Sequence, residues 1–596
     1  MSFPLRFAAT ALACASLAAA GSVILAVPAA VPARASRDAD HAAPSDADPD
    51  GRYGAYLSGS VAAALGDPDA AAQRFAEALA DDPTDPGLEG QAFVYAVLAG
   101  RPGVPELARG AAGNPLAPLA LGNAAAQRGQ WGEAQLQYGR DGGNALNQLL
   151  RPLLVGWSLQ GAGHTDNALA TLAAASAGSP AVGLYELAAA MIADLAMRHD
   201  EAAGLYAQAA ASYPQTDLIA AQAYGSFLAR GGRSAQAQAL IHRLVGAIPA
   251  LALAEPGLDS SLQTPPVADA LQGLAYSYLM MAALLQQQAP HGAEAEMFML
   301  RFALDLQPGL APARLLLAEL QLGPNTPHPV RPLADRRQDA IATLRAIPPG
   351  DPLAPIAQLR LAMLDSSAGH PARAQTLLEH LAASRPASPQ PLQALGDVLQ
   401  DEHEYGAAIK AYDGAIRLMG PLHGDDWPVL FARATAYDRA QDWSAAQLDL
   451  QQALRLAPNE PFLLNYLGYS WVERKHALGD ARAMIERALD SKPDDGSIRD
   501  SLGWAMFRQN DIADAVRELE HAAEQMPEDP TVNYHLGAAY WAAGRHVEAR
   551  DQWRWALLLH PDKQDAVRIR TALRASNQQG ADPLTAADAL PISPDE

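Results

Sequence analysis

Apolar residues return along the last third of the chain at a fixed step. Pro458, Pro493, Pro527 and Pro561 stand 35, 34 and 34 residues apart, each after an apolar run, and Gly468, Gly503 and Gly537 keep the same steps. Within that frame Ala481, Ala515 and Ala549 recur, as do Ala488, Ala522 and Ala556. Between Gly496 and Asp529 the helical period puts Leu502, Gly503 and Met506 on one face of a first helix, and Ala515, Leu519 and Ala522 on one face of a second. Such faces are hidden by closing on each other, so each period predicts a helical hairpin. Gly503 and Ala515 let the two helices approach, Leu519 fills the space beside them, and Pro527 stops the second helix.

The register runs backwards through Ala434, Ala446, Ala453 and Pro458, then Leu395-Gly396, Ala408, Tyr412 and Ala415, then Leu361-Ala362, Ala374, Leu378 and Pro386. Earlier units are looser but keep time. Phe75, Ala78 and Pro83 close a first one, Gly122 with Ala134 is followed 34 residues later by Gly156 with Ala168, and Ala190, Ala202, Tyr206, Ala209 and Pro214 make another. Tyr224-Gly225, Ala237 and Pro249 follow. Residues 87–118 fit poorly. Three stretches break the rhythm: 250–267 and 323–332, expected as loops, and a lengthened connection at Gly420–Asp426.

The recurring residues, above all Leu502-Gly503, Met506, Ala515, Leu519, Ala522 and Pro527 followed by Leu536-Gly537, Tyr540, Ala549, Trp553, Ala556 and Pro561, resemble the tetratricopeptide repeat (TPR). A period near 34 with two helices per unit is that of a helical solenoid. The resemblance implies an all-α, right-handed superhelical solenoid of about 13–14 hairpins covering most of residues 53–563. The expected organisation is an export signal (1–35), a disordered acidic tether (36–50), a degenerate array (51–251), irregular units with loop insertions (252–352), a regular array with a capping helix from Gln564 to Ala575 (353–575) and a disordered tail (576–596).

Composition agrees with helix: Ala, Leu, Gln, Glu and Arg dominate, while the β-branched residues are sparse. The 45 prolines and 46 glycines are spread as punctuation between alanine-rich stretches. The net charge is −23, and an acidic surface repels phosphates, which argues against nucleic acid as a partner. Arg6, the largely apolar stretch Phe7 to Val27 and the small-x-small sequence Ala33-Arg34-Ala35 predict export with cleavage after Ala35, into the periplasm or cell envelope. Cleavage removes Cys14, the sole cysteine, and with it thiol chemistry. Lipidation of Cys14 and an uncleaved anchor stay open, since a membrane span needs about 20 apolar residues.

Catalytic patterns are missing. No two of the fifteen histidines lie three to five residues apart, so no helical metal pair exists, and no lysine follows a glycine as a phosphate loop requires. The glycine-flanked serine at Gly156-Trp157-Ser158-Leu159-Gln160-Gly161 has its last glycine one place late for a nucleophile elbow. Asp425-Asp426 and Asp494-Asp495 precede helices, where acids favour the helix dipole. A non-enzymatic protein without cofactor or metal is expected.

By the family resemblance, the first helix of each unit lines the concave wall of the superhelix. In the last three units the wall positions, with Arg508 beside them, include Phe462, Asn465, Tyr469, Asp500, Trp504, Phe507, Tyr534 and Trp541, a concentration of aromatic residues suited to peptide binding or to packing between units. The blocks Leu464-Asn465-Tyr466-Leu467-Gly468-Tyr469-Ser470-Trp471, Arg499-Asp500-Ser501-Leu502-Gly503-Trp504 and Tyr534-His535-Leu536-Gly537-Ala538-Ala539-Tyr540-Trp541 are more specific. They resemble proteobacterial envelope TPR adaptors of carboxyl-terminal processing proteases. That resemblance implies a protein-binding scaffold presenting substrates to a periplasmic protease; the alternative is a structural component of a polysaccharide synthesis or export complex. Other proteins are the expected partners, with membrane association only through an N-terminal anchor.

Overall fold

Aspartates placed just ahead of a proline or a small residue start many of the helices. Asp85 accepts hydrogen bonds from the backbone N–H groups of Gly87 and Leu88, Asp495 from Ser497 and Ile498, and Asp529 from Thr531 and Val532. Each satisfies amides that the first helical turn leaves without a partner, and proline at the first helical position costs nothing there. The computed structural model describes residues 52–140, 145–179, 181–212, 217–286, 293–323, 331–578 and 582–588. These residues form 31 α-helices and two short 3-10 helices, with no strand among them. The export signal, Cys14 and the acidic tether lie outside the described residues.

Hairpins close as their spacing predicts. In the pair Gly496–Arg508 and Ile512–Gln525, Ala515, Leu519 and Ala522 are fully buried against Leu502 and Met506. A Cβ on Gly503 would lie 2.6 Å from Leu519 Cγ, so only glycine permits this approach.

The chain divides into two compact units, Met1–Leu377 and Leu378–Glu596. The first begins with six consecutive hairpins, from Arg52–Ala64 paired with Pro68–Asp81 to Leu218–Arg230 paired with Ser234–Ala247. Residues 87–118 fit the repeat poorly because the second helix of their hairpin, Val104–Gly110, has only seven residues. The hairpin Ala270–Gln286 with Ala293–Leu306 then leaves the row. It packs on the first helices of earlier hairpins: Pro86–Ala99, Ala117–Gln127, Ala145–Gly161 and Val182–Leu195. Tyr278 donates its hydroxyl hydrogen to Asn123 Oδ1 at 2.9 Å, beside Tyr138 doing the same at 2.8 Å, and Gln127 Nε2 donates to the carbonyl of Asp305 at 3.0 Å. Gly273 lies flat on the buried indole of Trp157. The inner side of these N-terminal hairpins is thus filled by the chain's own side chains.

Residues 250–267, expected as a loop, instead carry a 3-10 helix, Pro249–Ala254, and a short α-helix, Glu255–Ser261. Pro249 and Pro256 fall at the first or second helical position, where proline starts a helix rather than breaking it, and Leu251, Leu253, Leu258 and Leu262 are buried. Of the second predicted loop, residues 324–330 lie outside the described residues.

The second unit contains five hairpins, from Gln390–Asp401 with Tyr405–Met419 to Pro530–Ala542 with His546–Leu558, closed by the helix Lys563–Ala575. One further helix, Pro583–Asp588, stands in the tail expected to be disordered. Asp582 caps it, accepting from the backbone N–H of Leu584 and Thr585, and Leu584 packs against the apolar core of this unit. Residues 579–581 and 589–596 lie outside the described residues.

Candidate functional site

Within the second unit, the first helices of three successive hairpins, Pro461–Glu473, Gly496–Arg508 and Pro530–Ala542, carry the aromatic positions singled out in the sequence, and the capping helix Lys563–Ala575 brings Arg568 beside them. Their centre is Trp504. Its indole is stacked on Phe507 (centroids 4.7 Å apart, 9° between planes) and on His535 (4.1 Å, 16°), with Tyr534 at 6.3 Å. The indole Nε1 donates to Glu473 Oε1 at 2.6 Å. Arg508 lies over the Trp504 ring at 4.8 Å from its centroid and 3.8 Å from Glu473, and Arg568 reaches the other oxygen of Glu473 at 3.9 Å. One carboxylate therefore ties together three elements.

Behind the rings, His535 Nδ1 contacts both oxygens of Asp500 at 3.0 and 2.9 Å, and both residues are buried. Burial pushes the pKa of the Tyr469 hydroxyl well above the usual phenol value, with the charges of Glu473 and Asp500 adding to the effect. Burial pulls the pKa of the Arg568 guanidinium down, but Glu473, Tyr534 and Asp565 together leave it above the ordinary arginine value. A fixed, charged Arg568 is the consequence.

Of the nine positions expected on the concave wall, Tyr469, Asp500, Trp504, Phe507, Arg508 and Tyr534 gather in this cluster. Asp500, Trp504 and Tyr534 are buried in it, while Phe507, Arg508 and Tyr469 are half-buried. The other three stand apart. Phe462 is 42% exposed with the Lys492 ammonium 3.9 Å from its ring centroid, Asn465 is half-buried, and Trp541 stacks on His546 at 4.1 Å. Lys475, Trp504, Phe507, Arg508 and Tyr534, together with Leu584 and Thr585 of the tail helix, line a recess of about 240 Å³. Sequence reasoning assigned no role to Glu473, Lys475, His535 or Leu584. Among the described residues no three His, Cys, Asp or Glu side chains are grouped to hold a metal ion, and no helix is long and apolar enough to cross a membrane.

Stacked helical hairpins with small residues at their crossings define a helical-repeat protein. The tetratricopeptide repeat family model matches residues 431–498 and 501–566, and these repeats are tetratricopeptide repeats. Over 189 residues the chain is 30% identical to the TPR repeat-containing protein PA4667 of Pseudomonas aeruginosa. The match spans 31% of this chain and 31% of that relative. Among solved structures, the Cut9-Hcn1 hetero-tetramer of the APC/C is similar at a TM-score of 0.37 and 14% identity, over 88% of this chain and 96% of that one. Yeast Tom70 is similar at 0.34 and 12%, over 78% and 95%. The hairpins of this chain, rather than these likenesses, establish the fold.

Proposed function

We propose that this protein is a non-enzymatic scaffold of the bacterial cell envelope, and that the first helices of its C-terminal repeats hold a partner protein. Tetratricopeptide repeats typically mediate protein–protein interaction. The observation that carries the reading is the recess framed by Trp504, Phe507 and Tyr534, with Lys475 and Arg508 at its rim. Aromatic and arginine side chains in a partly desolvated pocket are the residues that dominate binding energy at protein interfaces. The export signature at Arg6, Phe7 to Val27 and Ala33-Arg34-Ala35 supports an envelope location. The resemblance of the blocks around Gly468, Gly503 and Gly537 to envelope adaptors makes a periplasmic carboxyl-terminal processing protease, or its substrate, the partner of first choice.

The test is capture from envelope extract by the full chain, compared with the Phe462→Ala/Phe507→Ala/Trp541→Ala variant. Phe462 is exposed, and Phe507 and Trp541 are partly buried side chains packed against the core rather than within it, so the fold is expected to survive. A carboxyl-terminal processing protease recovered by the parent and lost with the variant supports the reading. Recovery of glycan-synthesis proteins without a protease, or equal recovery by both chains, refutes it.

A further inference from the structure

We infer that the helical turn Asp582–Asp588 is a displaceable cover walling one side of the aromatic recess, and that the uncovered recess is shaped for a short helical segment presenting a leucine among acidic residues; the inference rests on the proposed binding role of the same face. Leu584 and Thr585 line the recess together with Trp504, Phe507, Tyr534, Lys475 and Arg508. A helix of six residues has no stability of its own in water, where fewer than about 12 residues is marginal. Its order comes from its surroundings. One contribution is local: Asp582 accepts from Leu584 N at 3.2 Å, from Thr585 N at 3.3 Å and from Thr585 Oγ1 at 2.6 Å, and Pro583 follows the cap. The other is docking, because the turn packs on the helix Lys563–Ala575 and Leu584 joins the aromatic core.

Charge selects the same kind of segment. From Ser576 to Glu596 the chain has Asp582, Asp588, Asp595 and Glu596 and no lysine or arginine. The recess presents Lys475 and Arg508. An acidic, leucine-bearing turn is attracted to this rim and a basic one repelled.

Covering by the tail is strong enough to gate but not to seal. The tail is tethered through a few residues beyond Ala575, which places it at an effective concentration on the order of millimolar. Half-buried Leu584 and the buried ring of Pro583 supply apolar contact. A partner segment of the same chemistry with a second apolar turn displaces it; a weaker one does not. The tail thereby raises the threshold for binding and supplies the template for what binds.

The experiment uses the full chain and, as probe, a fluorescent peptide of residues 581–589 added in trans. Anisotropy titration is expected to show at least tenfold tighter binding to Leu584→Asp, whose recess is uncovered, than to the parent chain. The same peptide with its leucine replaced by aspartate is expected to show no binding to either, a control that does not depend on any variant folding. Equal affinity of the parent and Leu584→Asp for the probe, or indifference to the leucine of the peptide, overturns the inference. The two readings separate cleanly. Envelope-protein capture that persists while the peptide never binds sinks the inference alone. Peptide binding that follows Leu584, without any protein captured even by Leu584→Asp, sinks the proposed function alone.

Discussion

A single added methyl group tests whether the hairpin Ala270–Leu306 fills the inner side of the N-terminal repeats. Gly273 lies in the helix Ala270–Gln286, and a Cβ there would come within 2.2 Å of Trp157 Cδ2, whereas ordinary van der Waals contact begins at 3.4 Å. Trp157 is fully buried, so its ring has nowhere to retreat without moving a neighbour. Two effects compete in Gly273→Ala. Replacing glycine inside a helix stabilises by about 1 kcal/mol, while overpacking a well-filled core costs about 1–3 kcal/mol. With a clash of more than an ångström against a locked ring the cost takes the upper end, and a net loss of about 1–2 kcal/mol is expected. Gly204, mid-helix in His199–Ser212, is the control: it is exposed, and a Cβ there meets nothing within 4 Å. Gly204→Ala is expected to stabilise by about 0.5–1 kcal/mol. Calorimetry of the full-length variants reads both. If Gly273→Ala raises the transition temperature alongside Gly204→Ala, the hairpin is not seated on Trp157 and the account of the first unit is wrong.

Three further outcomes follow from the geometry. Glu296 is buried without a partner for Oε1, and burial next to Glu319 raises its pKa from 4.5 to about 8, so the folded state holds a proton that the unfolded chain releases above pH 4.5. The stability of the first unit therefore falls as pH rises from about 4.5 towards 8, by roughly 3 kcal/mol at pH 7, and Glu296→Gln should flatten that slope in urea titrations at pH 5 and 7.5. Asp529→Ala removes the acceptor for the backbone N–H groups of Thr531 and Val532 and should cost about 1 kcal/mol, whereas Asp494→Ala, beside the cap Asp495, should stay within about 0.5 kcal/mol by the same unfolding assay. Asp500→Ala leaves the buried His535 Nδ1 without its carboxylate and should cost about 1–3 kcal/mol of stability; a variant that keeps parental stability but loses partner affinity would instead make Asp500 a contact residue.

The framework was legible because it is local and periodic. Ala515, Leu519 and Ala522 share a face by helical spacing, and their partner helix lies a few residues upstream, so composition and spacing suffice. The seating of the hairpin 270–306 was not legible, because Tyr278 meets an asparagine 155 positions away. A trace of it was present nonetheless. In Ala270–Gln286 the consecutive residues from Gly273 to Ala282 are all buried, an all-round pattern that one neighbouring helix cannot cover. The same contrast divides the candidate site. Trp504, Phe507 and Tyr534 sit at repeat positions and were found by counting, while Glu473 lies just past the wall positions of its helix and Leu584 lies beyond the last repeat. Side chains recruited from outside the period carry no periodic signal.

These two ways of filling an inner surface differ in strength, and the difference says where a partner can enter. Tyr278, Met280, Met281 and Phe302 of the N-terminal hairpin are each at most 2% exposed. At about 1.5–3 kcal/mol for each buried side chain, lifting that hairpin forfeits on the order of 8 kcal/mol before any partner contact is made. A partner must recover that amount in addition to its own ordering entropy, which is comparable to the whole stability of an ordinary domain. In the second unit the cover is half-buried Leu584 with Pro583, an apolar contribution of about 1–2 kcal/mol that a modest second contact exceeds. The same repeat chemistry thus supports a permanent interior in one unit and a displaceable cover in the other. A binding experiment should therefore respond to residues around Trp504 and be indifferent to conservative changes around Trp157 that leave the fold intact.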